Sequence, residues 1–398
     1  MTLPDALPHL VVVNAFYKPA FVYGGPVRSL AALCEEIAAS RVPLKVLTTD
    51  AGGTSRLDLP LNVPLNVDGV EVIYTPLGQP SLGSFFYAPA LIPIFAALVP
   101  SLTVAHLEVL WTHAAYPLMR LCQRAGLPYT TSLRGQLLPY ALHRSRLRKR
   151  LYLSLVGWRF LNGAAAIHCT DPGEAAAARA LRLHPPLVVV PNGIDLTPFR
   201  NLPPREQGRS RWHIPAEAPL ILFSGRLHPK KRPQIALEVL SGMENAHLIV
   251  AGADELGMAL ALQAQAKQQG CEDRFHWVGL LEQKALIEAM SAADLLIMPS
   301  EADSENFGMA AAEALAAGLP LLTSAGIPVG EAARQAGAGL TVTGGSPAFL
   351  EGARTLLADR ALLRAMGERG RVLAFARYDS QRTAQEMLQM WRAVQKRI

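Results

Sequence analysis

Two carboxylates stand eight positions apart in the stretch Pro299-Ser300-Glu301-Ala302-Asp303-Ser304-Glu305-Asn306-Phe307-Gly308 and the Ala-rich run that follows it. Glu305 falls in what reads as a loop, and Glu313 in the helix that the loop enters. Phe307-Gly308 sit near the start of that helix, where unpaired backbone N–H groups and the positive end of the helix dipole attract a phosphate. A carboxylate beside an anion site suits a ligand carrying hydroxyls and phosphates together, and a sugar nucleotide has that chemistry.

A second group precedes it. Ser224-Gly225-Arg226-Leu227-His228-Pro229-Lys230-Lys231 follows an apolar strand directly, with Arg226 at the strand's carboxyl end and Lys231 five residues on. Two fixed cations there would neutralise a diphosphate without a metal, the arginine by a forked contact and the lysine as a point charge. Lys230 and Arg232 read as ordinary members of a basic loop. Tyr23-Gly24-Gly25-Pro26 opens the first expected helix, and glycines there let a phosphate or sugar approach the backbone. Neither G-x-G-x-x-G nor G-x-x-x-x-G-K-[ST] occurs, so the usual dinucleotide and P-loop readings lack their marker. His113, shortly after Trp111, is a further candidate for contact with acceptor or donor sugar. Pro191-Asn192-Gly193-Ile194-Asp195 reads as a turn, with Asn192 or Gly193 able to take positive φ.

The elements that must position these residues are legible as alternating runs. Leu10–Ala15, Leu44–Thr48, Ala165–Cys169 and Leu187–Val190 read as strands of a first half, the last of them buried, with a helix over Pro26–Ser40. Asp171-Pro172-Gly173-Glu174 resembles a helix start, Asp171 as N-cap, Pro172 at N1 and Glu174 reaching back. The pattern restarts with Leu220–Ser224, Ala246–Ala251, Arg274–Val278, Leu295–Met298 and Pro320–Thr323. Near-continuous apolar strands alternating with helices indicate parallel sheets covered on both faces. Pro198–Pro219, rich in Pro and Arg, reads as a linker and the entry to a second domain. We therefore expect an α/β fold of two doubly wound domains, with ligands at the carboxyl ends of the strands and a cleft between the two sheets.

The 398 residues suit two domains of roughly 150–200 residues each. Half the residues are apolar and only 18% are charged, which excludes a disordered chain. The four cysteines are scattered without a C-x-x-C pair, which argues against a metal site or a disulfide framework and fits a reducing, cytoplasmic setting. No acidic residue lies between Glu108 and Asp171, while Arg144, Arg146, Arg148, Lys149 and Arg150 cluster there. Such a cluster is either a solvated helix face or a surface for anionic membrane; no nucleic-acid signature accompanies it. From Val72 to Leu107 the chain carries no Asp, Glu, Lys or Arg, and Ser84–Val104 is almost wholly apolar. Three prolines make that run a poor membrane span. It reads either as a buried helix with its flanking strand or as an apolar surface that dips into a bilayer or accepts a lipid tail.

Gly24-Gly25, Pro191–Asp195, Arg226…Lys231 and Glu305-x7-Glu313 come in the order and spacing of the group 1 glycosyltransferases, glycosyltransferase family 4, and the chain resembles that family over nearly its whole length. The resemblance implies a GT-B fold of two facing Rossmann-like domains with an inter-domain cleft: 1–197 on the acceptor side, 198–376 binding the donor, and a C-terminal helix, 377–398, packing back on the first. It implies transfer of a hexose from a UDP- or GDP-linked sugar with retention of anomeric configuration, and neither cofactor nor metal. In the catalytic role, Arg226 and Lys231 would hold the diphosphate and Glu305 the donor-sugar hydroxyls. Asn306, Phe307 and Gly308 would add backbone contacts, Glu313 would bind the ribose, and the base would lie by Val278-Gly279. Where the family often carries His-Gly, this chain has Ser132-Leu133-Arg134-Gly135, resembling a subgroup linked to polysaccharide and cell-envelope assembly. Arg134 would then meet donor sugar or phosphate. The expected acceptor is a glycan or a lipid-linked sugar; its place at the inner face of the cytoplasmic membrane, with peripheral attachment, is an expectation that rests on the basic cluster and the apolar Ser84–Val104 segment. An epimerase of the same fold, or a non-catalytic sugar-nucleotide sensor or scaffold, is the rival reading.

Overall fold

The computed structural model describes residues 7–78, 85–143, 145–301 and 304–396. Ser84, Arg144, Ala302 and Asp303, which enter the readings above, lie outside the described residues. The chain forms two α/β units. One runs from the N-terminal end to Gly193 and resumes at Ser380; the other is Ile194–Asp379.

In the first unit, β1 (Leu10–Asn14), β2 (Leu44–Thr49), β3 (Pro64–Val67), β4 (Val70–Thr75), β5 (Val104–Glu108), β6 (Tyr129–Ser132), β7 (Ala166–Cys169) and β8 (Leu187–Val189) form one sheet. Their order is β8-β7-β6-β5-β1-β2-β4-β3. Only β3, against β4, is antiparallel. β1 pairs with β2 on one side and β5 on the other, so the strand order reverses at β1. Every residue of β1 and β5 is buried, as expected of runs such as Leu-Val-Val-Val that face helices on both sides.

Helices α1 (Gly25–Ala39), α2 (Leu91–Leu98), α3 (Ala115–Ala125) and, after α4 (Arg146–Tyr152), which buries none of its residues, α5 (Pro172–Ala180) pack on the sheet. The chain continues from α4 through a π-turn, Leu153–Gly157, into a last helical turn, Trp158–Asn162. The start of α5 is as its sequence indicates. Asp171 Oδ1 accepts from the N–H groups of Gly173 (2.7 Å) and Glu174 (3.3 Å), with Pro172 in the first turn. Glu174 reaches back one residue beyond the cap, to the N–H of Thr170 at 2.6 Å.

Two expectations need correction. The strand read as buried Leu187–Val190 is β8, half-buried and ending in the exposed Val189, because it is an edge strand with β7 as its one neighbour. Asn192 and Gly193 do not have positive φ. Gly193 is required for close approach: a Cβ there would lie 2.6 Å from Ser380 Cα and 2.8 Å from Thr383 Oγ1. The described part of the apolar segment Ser84–Val104 follows the first of its two readings, a helix contributing to the core ahead of a buried strand. α2 buries Leu91 and Phe95, with Ile94, Leu98 and Val99 packed beside them. Among the described residues, no helix is long and apolar enough to cross a membrane.

In the second unit, β9 (Leu220–Ser224), β10 (His247–Ala251), β11 (Phe275–Gly279), β12 (Leu295–Met298), β13 (Leu321–Ser324) and β14 (Gly339–Val342) form a parallel sheet in the order β11-β10-β9-β12-β13-β14. The order reverses at β9, and helix α6 (Met309–Ala316) follows β12. Pro198–Pro219 is the entry to this unit and is folded into it rather than a free linker. Its helix Arg205–Arg211 packs so closely on Gln283–Ala292 that a Cβ at Gly208 would lie 2.5 Å from the carbonyl of Glu288. Arg209, 3% exposed, donates through Nη1 to the carbonyls of Pro215, Ala216 and Ala218. It also pairs with Asp294 at 3.0 Å, so its charge serves to close a loop.

The last helix, α7 (Ser380–Gln395), belongs to the first unit. It buries Met387, Leu388, Met390, Trp391 and Val394 in the layer that holds Val12, Leu30 and Val46. Trp391 Nε1 donates to Thr130 Oγ1 at 3.0 Å, and Ser380 Oγ to Glu36 at 2.8 Å.

Candidate functional site

Glycines at the carboxyl ends of β9, β10 and β11 set the geometry of the second unit. The N–H of Gly225 donates to Ala251 (2.9 Å), and that of Gly252 to Gly279 (2.8 Å). A Cβ at Gly252, whose φ is +153°, would fall 1.9 Å from the carbonyl oxygen of Gly225 and 3.1 Å from the Arg226 nitrogen. Only glycine lets the chain leaving β9 pass that close, and this approach fixes where Arg226 emerges. The Arg226 side chain is one-third exposed, and its Nη1 lies 3.9 Å from a Glu255 oxygen. Leu227 is buried, its N–H bonded to Ala253 at 2.8 Å, so the arginine stands on an anchored turn.

Lys231 ends the short turn Pro229–Lys231 and pairs with Glu305, both largely shielded from solvent. Two loops far apart in sequence therefore meet, and the contact has identifiable causes. The N–H of Glu301 donates to the carbonyl of Lys230 at 2.8 Å. Arg232, with φ 49°, donates from Nε to Pro299 (2.5 Å) and from Nη2 to Ser300 (3.2 Å) and to Ser324 Oγ (3.0 Å). Arg232 reads in sequence as an ordinary basic-loop residue; in the structure it binds the loop after β9 to the loop after β12. No local pattern announces this, because its partners lie on two other strand ends.

Beyond Glu305 and Asn306, both half-buried, Phe307 is buried edge-on against Tyr378 at 5.4 Å. Its carbonyl accepts from Val329 at 3.1 Å. Phe307 is thus an anchor that holds the backbone of Asn306–Gly308 in place. Gly308, with φ +99°, caps α6 and leads into its first turn, and Glu313 lies half-buried on the second. The structure thus brings Arg226, Lys231, Glu305, Asn306, Phe307, Gly308 and Gly279 to one end of one sheet. Val278 immediately precedes Gly279 at the end of β11. Two cations with a helix N-terminus suit a dianionic diphosphate, and the carboxylates are acceptors for vicinal hydroxyls.

The first unit carries its own polar centre. Gly24, with φ 75°, turns the chain from Phe21–Tyr23 into α1, whose first residue is Gly25. Arg134 (φ 43°) and Gly135 lie just past β6. The Arg134 side chain is nearly buried, and its Nε donates to Glu108 at 2.8 Å. Its Nη1 donates to Ser29 Oγ (3.0 Å) and Asn192 Oδ1 (2.8 Å). Glu108 also accepts from Asn14 at 2.8 Å and contacts His106 Nε2 at 3.3 Å. Burial alone would raise the Glu108 carboxyl, but the Arg134 guanidinium and the His106 contact outweigh it and hold the carboxyl well below the usual range. Burial, with Arg134 nearby, pushes His168 down to about 3, so this imidazole stays neutral, bridging Ser132 Oγ (2.8 Å) and the carbonyl of Val190 (2.8 Å). No local motif marks Glu108, Asn14 or His168. The signal was present only as polar residues within otherwise apolar strands.

His113 packs against Tyr87 with ring centroids 4.7 Å apart. Its Nδ1 is buried without a hydrogen-bond partner, as are Trp111 Nε1 and Gln136 Oε1. Burial lowers the His113 pKa, leaving an imidazole able to accept or donate to a sugar hydroxyl.

Two family models match the chain: a glycosyl transferase 4-like domain over residues 24–193 and glycosyl transferases group 1 over residues 204–373. Among curated proteins, the D-inositol 3-phosphate glycosyltransferase of Thermomonospora curvata is 34% identical over 190 residues, covering 43% of each chain. The chain spans about half the length of the curated relatives it matches. Among solved structures, a sucrose-phosphate synthase from Thermosynechococcus elongatus aligns with a TM-score of 0.81 at 20% identity, over 98% of this chain and 99% of that one. Anabaena HepE in complex with UDP aligns with a TM-score of 0.76 at 18% identity, over 96% and 98%. At such identities the likeness is one of fold.

Proposed function

The chain belongs to the group 1 glycosyltransferases, glycosyltransferase family 4, and has their GT-B fold of two Rossmann-like units; from that premise we propose that it transfers a sugar from a nucleoside-diphosphate donor, UDP- or GDP-linked, to a glycan or lipid-linked acceptor in polysaccharide or cell-envelope synthesis. The observation that carries this reading is the end of the second sheet, where Arg226, the Lys231–Glu305 pair and the N-terminus of α6 stand together.

In this proposal Arg226 and Lys231 receive the negative charge that grows on the departing diphosphate, in a site already organised before the reaction. They do so without a divalent metal. Glu305 accepts from donor-sugar hydroxyls and shares Lys231 with the phosphate, while Glu313 accepts from the ribose. The base lies against Val278-Gly279. Transfer proceeds with retention of anomeric configuration. In the first unit, Gly24-Gly25 offers backbone approach to a phosphate, and His113 offers a partner for a sugar hydroxyl. Arg134, held by Glu108, Ser29 and Asn192, positions the loop after β6 and presents what remains of its guanidinium edge to donor sugar or phosphate.

Calorimetric titration of UDP, GDP and ADP into metal-free protein tests the reading. One nucleotide binds, and Arg226→Ala weakens it by about 10- to 100-fold, the worth of a charge-assisted contact. Absence of binding by the wild type to all three would overturn the proposal.

A further inference from the structure

An exposed apolar stripe lies elsewhere in the first unit. Leu147, Leu151 and Leu155 are 82%, 61% and 59% exposed, and they follow one another at every fourth position along α4 and the π-turn after it. Residues four apart share a helix face. A π-turn rotates less per residue than an α-turn, so Leu155 is kept in line with the other two rather than drifting off the stripe. Arg146 and Arg150 flank this ridge on one side and Arg148 on the other, all exposed. No acidic residue occurs anywhere from Val109 to Thr170.

The opposite face of the same helical stretch is held to the unit. Leu153 is buried, and Tyr152 Oη donates to the carbonyl of Thr112 at 3.1 Å. Tyr152 packs on Trp111 at 5.4 Å, and Lys149 Nζ lies 5.1 Å from the Trp111 ring centre. The helix is therefore pinned to the loop that carries Trp111, Thr112 and His113. Its outward leucines are not spare core residues awaiting burial within the unit.

We propose that this ridge docks on an anionic phospholipid surface, Leu147, Leu151 and Leu155 entering the boundary between headgroups and acyl chains while Arg146, Arg148 and Arg150 meet lipid phosphates. A leucine ridge bordered on both sides by arginines is the arrangement that lies in a membrane interface, and a purely cationic or purely apolar face would not be. Docking stands on the helix alone. Its consequence, that the loop holding His113 sits directly behind the membrane-facing ridge and within reach of an acceptor borne by lipid, rests on the glycosyltransferase reading above.

The test is co-sedimentation of the full chain with vesicles of phosphatidylcholine alone and of phosphatidylcholine with phosphatidylglycerol. Wild type partitions onto the anionic vesicles and not the neutral ones. Leu147→Ser/Leu151→Ser/Leu155→Ser, all at exposed positions, lowers that partitioning by about 100-fold or more. Arg146→Gln/Arg148→Gln/Arg150→Gln abolishes the preference for anionic lipid. As a check independent of the triple variants, an environment-sensitive dye on Leu151→Cys shifts to the blue on anionic vesicles. No binding by wild type, equal binding by the serine variant, or an unshifted dye overturns the proposal. So does a concentration-dependent dimer in sedimentation velocity that the serine variant abolishes, which would assign the ridge to a second copy of the chain. Nucleotide titration of the same samples separates the two readings. UDP or GDP binding without vesicle binding refutes docking alone, and the converse refutes sugar transfer alone.

Discussion

Replacing Glu108 by Gln tests whether the polar centre of the first unit is as tightly coupled as its geometry indicates. Glu108 is 5% exposed and receives Asn14, Arg134 and His106. Glutamine has the same shape but removes the charge and turns one acceptor into a donor, facing donors that are already in place. Arg134 would be left buried without its counter-ion. Breaking a buried pair from one side destabilises by about 3–5 kcal/mol, most of it the stranded charge. For a unit of this size, each kcal/mol moves the melting midpoint by about 2–4 °C, so differential scanning calorimetry should show a loss of roughly 6–20 °C in the transition of the first unit. The double variant Glu108→Gln/Arg134→Met strands no charge and should be more stable than the sum of the single effects predicts by about 1–3 kcal/mol.

The pH dependence has a definite sign. Glu108 has a depressed carboxyl in the folded protein, so the unfolded chain binds its proton first as pH falls. Its contribution is fully present above the unfolded value, about 4.3, and is lost on acidification below that. Glu108→Gln should therefore flatten the acid limb of stability against pH below about 4 while lowering stability at neutral pH. A variant within about 0.5 kcal/mol of wild type, or single effects that simply add in the double variant, would refute the coupling.

Other outcomes follow from single contacts. Gly252→Ala places a methyl group 1.9 Å from the Gly225 carbonyl and should displace the turn that carries Arg226, abolishing nucleotide binding in calorimetry. An unchanged affinity would mean that the β9 exit tolerates movement. Asp171→Ala removes the cap of α5 and should lower stability by about 1 kcal/mol, read as a shift of about 2–4 °C. Trp391→Ala empties a fully buried site and removes one of the two partners of Thr130 Oγ1, for a loss of about 3–5 kcal/mol in urea unfolding of the first unit. A loss below about 1 kcal/mol would show that α7 is dispensable to that unit's core.

Much of the architecture is legible in the chain because it is local. The strands Leu220–Ser224 and Leu295–Met298 declare themselves through short apolar runs, and the cap at Asp171 through its neighbours. The phosphate-suited groups Arg226, Lys231 and Gly308 and the hydroxyl acceptor Glu305 are recognisable by type and spacing, and the structure sets them at the carboxyl ends of adjacent strands. Spacing along a chain, however, carries no information on what lies opposite. Arg232 looked like one more loop cation until the ends of β12 and β13 supplied its acceptors. Gly193 looked like a turn residue until the backbone of Ser380 occupied the space a side chain would need.

The two uncharged or cation-rich stretches show the same division. Composition alone marked Ser84–Val104 as apolar and the neighbourhood of Arg146 as cationic, and those properties belong to the sequence. Which of them faces solvent depends on which helix face the rest of the unit covers. Packing drew Leu91 and Phe95 inward and left Leu147, Leu151 and Leu155 outside. Covalent order determines periodicity, caps and the identity of the charges; exposure, ion pairing and close approach are properties of non-neighbouring atoms, and they come into being only when the chain has folded.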